Sequence, residues 1–187
     1  MMKKNLKWII FSILLVVFII VMICVKNEKI VGFDNTIYKI VTYNTNTFID
    51  NMNHIFTFFG STSLMVILAI LCLIFIKNKK IACIICACLI ISILLNIGIK
   101  NVLMRQRPLV RKLVEENSYS FPSGHTTAAV SMYGIFVYFI MKSKLKNNIK
   151  NIISTCLIIL MFLVAWSRVY LGAHFGSDVI GAMVISG

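Results

Sequence analysis

The sequence predicts an all-α fold, a polytopic membrane bundle of five to six transmembrane helices, from its apolar excess, its recurrent uncharged runs and its one-sided distribution of charge. Of the 187 residues, 59% are hydrophobic and only 13% are charged, more apolar surface than a water-soluble core of this size needs. The stretch Trp8–Val25 holds no charge, and as a helix it covers roughly 27 Å, close to a hydrocarbon core of about 30 Å. Uncharged stretches recur at Ile55–Ile76 and Ile81–Ile99, with shorter ones at Thr126–Met141 and Asn151–Trp166. Together they give five crossings, and a sixth would begin near Asp178.

The first stretch follows Lys3, Lys4 and Lys7, as a secretory signal would, but no small-residue cleavage site follows Cys24 and Val25. It is therefore read as a retained helix. A net charge of +13 raises nucleic acid as a partner, and the placement of the charges argues against it. With the N-terminus cytoplasmic, the inner segments hold Lys3, Lys4, Lys7, Lys77, Lys79, Lys80, Lys142, Lys144, Lys146 and Lys150 and no acid, while all six acidic residues lie outside. That asymmetry orients a multi-pass protein of the cell membrane, and no nucleic-acid partner is expected.

Cysteines 24, 72, 83, 86, 88 and 156 fall inside the apolar runs and read as small hydrophobes. Cys83, Cys86 and Cys88 have no His or second Cys pair nearby to complete a metal set. Without repeat, low-complexity tract or soluble appendage, residues 1–187 are expected to form a single domain. Between Lys26 and His54 the apolar residues Phe33, Ile37, Ile40, Val41, Phe48, Met52 and Ile55 approach a 3.6-residue period, interrupted by Asn44–Thr47. The segment reads either as a helix on the outer surface or as a packed extracellular loop, with His54 at a helix end.

Both prolines, Pro108 and Pro122, and all four arginines, Arg105, Arg107, Arg111 and Arg168, sit in the loop after the third apolar run or in the tail of the fifth. Elsewhere positive charge is carried by Lys. A guanidinium can hold two phosphate oxygens at once, so this restriction points to anion recognition. Three clusters follow: Lys100 with Arg107 and Pro108; Pro122-Ser123-Gly124-His125; and Ser167-Arg168 with His174 and Asp178. A charge at the bilayer centre costs about 2.5–3.5 kcal/mol, so these clusters belong at helix ends, all on the outer face.

The Ser-Gly-His step opens an apolar helix whose first-turn N–H groups can point at an anion; a plain Ser N-cap would explain Ser123 but not His125 beside it. His174 and Asp178, four apart, would meet on one helix face. The carboxylate would hold one imidazole nitrogen and leave the other to attack, although an interfacial salt bridge fits the same spacing.

In this order the residues resemble the type 2 phosphatidic acid phosphatase superfamily of membrane lipid phosphatases. Its three motifs are matched as Lys-x6-Arg-Pro, Pro-Ser-Gly-His and Ser-Arg-x5-His-x3-Asp over residues 100–178, and the turn Thr57-Phe58-Phe59-Gly60-Ser61 is also similar. The resemblance implies a PAP2/haloperoxidase-like helical core and a metal-independent reaction without cofactor. It implies that His174 attacks phosphorus to form a phosphohistidine, that Asp178 holds its ring, and that His125 protonates the leaving oxygen. Lys100, Arg107, Ser123, Gly124 and Arg168 would bind the phosphoryl oxygens. The expected substrate is a lipid phosphate or lipid pyrophosphate such as phosphatidate, phosphatidylglycerol phosphate or a polyprenyl pyrophosphate, reached from the membrane at the extracytoplasmic side. Phosphotransfer to a sugar or lipid acceptor, and non-catalytic lipid-phosphate binding, are the alternatives. One departure is expected: the helix after Asp178 is shortened relative to the family's last crossing.

Overall fold

The structure is a computed structural model that describes residues 2–187, and the side chains of residues 1–5, with Lys3 and Lys4 of the charge argument, lie outside the described part. Its helices are α1 (Met2–Lys26), α2 (Val31–Val41), α3 (Thr47–Phe58), α4 (Thr62–Phe75), α5 (Lys79–Leu103), α6 (Gly124–Lys142), α7 (Asn147–Tyr170) and α8 (Gly176–Ser186). Polar side chains mark several starts. Asn46, Ser61, Asn78 and Ser123 each accept a hydrogen bond from a backbone N–H of the first turn of α3, α4, α5 and α6, satisfying donors that a helix cannot pair internally. Helix α5 ends where Met104 turns into the left-handed region, φ 49°.

Helices α1, α5, α6 and α7 are long and apolar enough to cross a membrane. The stretch expected as one crossing at Ile55–Ile76 is instead split between α3 and α4, which meet at an angle of 41° and are together long and apolar enough for one bent span. Packing explains the break. A Cβ on Gly60 would lie 2.5 Å from Val164 Cγ1 and 3.0 Å from the His125 carbonyl, so glycine lets the bend seat against α6 and α7, and Ser61 restarts the helix. The surface segment is helical on both sides of the Asn44–Thr47 interruption, as α2 and the start of α3. His54, expected at a helix end, lies within α3. Helix α8 is a shorter apolar helix of 11 residues, roughly 16 Å of rise.

Helix α6 is central and touches α4, α5, α7 and α8. Its inner face packs Ala128, Ala129, Met132 and Tyr133 against Met65, Ile85, Leu89 and Val164. Large apolar side chains such as Ile10, Ile74, Ile91 and Ile159 face outward, the arrangement expected when lipid replaces water. Inside, polar contacts tie the helices: Ser92 Oγ donates to Ser131 Oγ at 2.8 Å, and Asn96 Nδ2 to Thr127 Oγ1 at 2.9 Å. All six cysteines are unpaired. Because the long helices alternate in direction, Lys77–Lys80 and Lys142–Lys150 fall at one end of the bundle, and Lys100, Gly124 and Arg168 at the other.

Candidate active site

Four elements meet at that second end. Helix α5 delivers Lys100, 8% exposed, whose ammonium donates to the Tyr119 carbonyl. The loop from residue 104 to 123 carries Arg107 and Glu116, α6 opens on Ser123, Gly124 and His125, and α7 closes on Arg168. The chain then reverses at Gly172, φ +70°, where a Cβ would meet the Arg111 carbonyl at 2.3 Å. This reversal sets the N–H groups of Ala173 and His174 on the Arg168 carbonyl at 3.2 and 3.1 Å, so the third motif folds back on itself.

His174 is 2% exposed. Its Nε2 lies 3.2 Å from Arg107 Nη1 and its Nδ1 lies 3.5 Å from Asp178 Oδ2. A guanidinium can only donate, so Nε2 is the accepting nitrogen and Nδ1 carries the ring hydrogen toward the carboxylate. The pair does not share a helix face, as its spacing suggested. His174 precedes α8, and Asp178, within the first turn, bends back so that Oδ2 accepts from the Phe175 N–H at 2.9 Å and from Ser120 Oγ at 2.5 Å. Burial, only partly offset by the Asp178 carboxylate, brings His174 down to about 4, so its ring is neutral at ordinary pH.

Opposite His174 stands a carboxylate that sequence reasoning did not single out. Glu116 pairs with Arg168, lies 3.7 Å from Arg107 Nη2, and lies 3.8 Å from His125 Nδ1. Burial would raise this carboxyl, but Arg168, His125 and Arg107 hold it below the usual carboxylate range. Arg168, 1% exposed, also donates from Nη1 to Thr57 Oγ1 at 2.6 Å, and its buried Nε–H has no partner among the described residues. Lys100, Arg107 and Glu116 line a cavity of about 780 Å³ whose rim includes Ile97 of α5 and the exposed Leu109.

The structure therefore brings together Lys100, Arg107, His125, Arg168, His174 and Asp178 from separate stretches of the chain. Ser123 Oγ accepts from the Thr126 N–H at 3.4 Å and from the Thr126 hydroxyl at 3.0 Å, so its hydroxyl serves as the cap of α6, of which Gly124 is the first residue. The clustering of the four arginines points to anion recognition, with Arg107 and Arg168 the two expected as phosphate ligands. Arg107 and Arg168 flank Glu116, whereas Arg111 pairs with Asp50 at 2.7 Å and Arg105 bridges Asp34 and Asp178 at 2.6 and 2.5 Å. Arg105 and Arg111 thus each serve a carboxylate other than Glu116. Glu116, Ser120, Thr57 and Asp34 were not named as site residues. The legible signal for Glu116 was an acid in a loop otherwise rich in Arg.

The fold is that of a multi-pass helical membrane protein, with Arg107, Arg168 and His125 gathered around the Glu116 carboxylate at one end of the bundle. The chain belongs to the PAP2 superfamily, whose family model matches residues 81–187. It is 40% identical over 89 residues to phosphatidylglycerophosphatase B of Bacillus subtilis, a match spanning 47% of this chain and 44% of that protein's length. It is 28% identical over 197 residues to an undecaprenyl-diphosphatase of Sulfolobus acidocaldarius, covering 98% of this chain and 87% of that one. Among solved structures, the PAP2-type phosphatidylglycerolphosphate phosphatase of Bacillus subtilis superposes with a TM-score of 0.84 at 27% identity, covering 94% of this chain and 90% of that one. LpxE of Aquifex aeolicus shares the fold, with a TM-score of 0.65 at 23% identity over 80% of this chain and 87% of that one.

Proposed function

We propose that this protein hydrolyses a lipid phosphate or lipid pyrophosphate through a phosphohistidine on His174. The observation that carries the reading is the grouping of Arg107, Arg168 and His125 around the Glu116 carboxylate, with Lys100 sharing the cavity wall and His174 Nε2 on Arg107. That pocket already holds one anionic group, and the free Nε–H of Arg168 leaves it a donor for another. Phosphoryl transfer asks chiefly for positioning and for stabilisation of equatorial charge. Lys100, Arg107, Arg168 and the Gly124 and His125 N–H groups that open α6 can supply both.

In the first step the Nε2 lone pair of His174, released when a phosphoryl oxygen takes Arg107, attacks phosphorus. Asp178 accepts the Nδ1 hydrogen as positive charge develops on the ring. His125, on the other side of Glu116, gives a proton to the departing oxygen and then takes one from the water that cleaves the N–P bond. The names of the two curated relatives support phosphatidylglycerol phosphate or a polyprenyl pyrophosphate as substrate. The Lys-rich loops lie at the end of the bundle opposite the pocket, which by the positive-inside rule supports an extracytoplasmic site and a cytoplasmic N-terminus. The exposed Ile97 at the cavity rim supports entry from the lipid.

A panel of lipid phosphates and pyrophosphates assayed in detergent, with and without chelator, tests the reading. Wild type should release phosphate from at least one of them regardless of chelator, and His174→Ala should release none while keeping its fold. Turnover by His174→Ala would refute the nucleophile.

A further inference from the structure

Behind the His174–Asp178 pair lies a second layer that the family motifs do not contain. Asp34, 1% exposed, comes from α2, a helix in which the sequence suggested nothing catalytic. Its Oδ1 accepts the Ser177 N–H at 2.8 Å, and its Oδ2 accepts the Ser177 hydroxyl at 2.9 Å and Arg105 Nη2 at 2.6 Å. Arg105 Nη1 then reaches Asp178 Oδ1 at 2.5 Å and Ser177 Oγ at 2.8 Å, while its guanidinium carbon sits 4.0 Å above the Phe175 ring. The two oxygens of Asp178 are thus divided: Oδ1 belongs to Arg105, and Oδ2 is left to Ser120, the Phe175 N–H and the His174 ring.

From this division we infer that Asp34 and Arg105 are positioning residues for the reaction, acting through Asp178 to hold His174 in register with the phosphoryl group. The inference rests on the phosphohistidine reading above. A carboxylate can turn about its last side-chain bond. Arg105 fixes that rotation by claiming one oxygen in a planar fork, and Asp34 fixes Arg105 by claiming the other arm of the fork. The same arrangement sets charge. A cation behind Asp178 weakens the pull of the carboxylate on the ring, which favours a neutral, attacking His174. Without Arg105 two buried carboxylates would face each other across Ser177 with no countercharge between them.

His174 is faced by other charged groups as well: Arg107 and Glu116 of the loop, His125 of α6 and Arg168 of α7, with Lys100 of α5 on the cavity wall. None of them is altered in the test. Full-length wild type and His174→Ala are first assayed for phosphate release from the preferred lipid. Activity in the former and none in the latter establishes the reaction independently of the inference. Arg105→Gln, Arg105→Lys and Asp34→Asn then follow, each checked for folding by thermal melting.

A misplaced reacting group costs about 10²-fold, so Asp34→Asn and Arg105→Gln should lose about that much in kcat with KM within about twofold. In Arg105→Gln the acid limb of the kcat profile should move to higher pH, because losing the cation eases protonation of His174. Arg105→Lys should return the limb toward its original position while recovering only part of the rate, since an ammonium lacks the fork. Folded variants with unchanged kcat and an unmoved limb would overturn the inference, and so would a loss confined to KM, which would make the pair a substrate contact. Should Arg105→Gln fail to fold, Asp34→Asn, which keeps the shape and an acceptor for Ser177, decides alone through its kcat.

Discussion

Asp178→Asn isolates the carboxylate without changing its shape. In the structure four donors converge on its two oxygens: Arg105 Nη1 on Oδ1 at 2.5 Å, and Ser120 Oγ, the Phe175 N–H and the His174 ring on Oδ2 at 2.5, 2.9 and 3.5 Å. An amide offers one oxygen and one NH2. Turned to keep three donors satisfied, it points NH2 at the Arg105 guanidinium, donor against donor; turned the other way, it points NH2 at the Phe175 N–H and at the hydrogen on His174 Nδ1. Either way at least one buried donor loses its acceptor, costing about 1–3 kcal/mol of stability. The second orientation also drives the ring to the other tautomer, in which Nε2 carries the hydrogen and cannot attack. In the serine-protease triad, an Asp→Asn change of this kind lowers kcat about 10⁴-fold; here a loss of about 10³-fold or more is expected. Alkali-quenched single turnovers with a ³²P-labelled lipid, which preserve the acid-labile N–P bond, should show phosphoenzyme accumulating that much more slowly, alongside a lower melting temperature. A first-step rate within about threefold of wild type would refute the view that Asp178 fixes the tautomer of His174.

His125→Ala should slow the first step with natural lipids but far less with nitrophenyl phosphate, a monoester whose leaving group needs no proton; equal losses on both would remove His125 as the acid. Gly172→Ala forces φ +70° on a residue with a Cβ and pushes it into the Arg111 carbonyl. It should cost about 1–3 kcal/mol and reduce kcat/KM as the loop carrying Arg107 shifts, both readable from a melt and a rate. On acidification, His174 has a folded value of about 4 against an ordinary 6.5, so between those values the unfolded chain binds the extra proton and stability falls as pH drops. Glu116, also held low, adds loss in the same direction at the acid end. Melting temperature should therefore decline as pH falls from about 6.5 toward 4, whereas kcat/KM should hold until pH nears the folded value of about 4.

The crossings were legible because lipid imposes length and apolarity on each helix alone: Trp8–Val25, Ile81–Ile99, Thr126–Met141 and Asn151–Trp166 lie within α1, α5, α6 and α7. The Ile55–Ile76 run misled because its bend depends on a neighbour. Nothing local shows that Val164 and His125 require a glycine at position 60. The residues of the motifs were legible by their chemistry, which demands unusual types at fixed spacings. The roles of Arg105 and Arg111 were not, since an arginine shows its purpose only when its partner is known, and Asp34 and Asp50 lie some seventy and sixty residues earlier in the chain. Glu116 was hidden for the same reason: its meaning lies in Arg168, some fifty residues later in the chain.

The loop between α5 and α6 is long and without regular structure, yet it is stitched down along its length: Arg105 to Asp34, Arg111 to Asp50, the Leu113 N–H to the Leu171 carbonyl and the Ser123 N–H to the Asp178 carbonyl. Ordering such a segment costs about 1–2 kcal/mol of backbone entropy per residue, and folding has already met that cost. A headgroup arriving at the mouth finds a finished wall, so capture need not wait for a flap to settle, and affinity is spared the penalty that flexible lids impose.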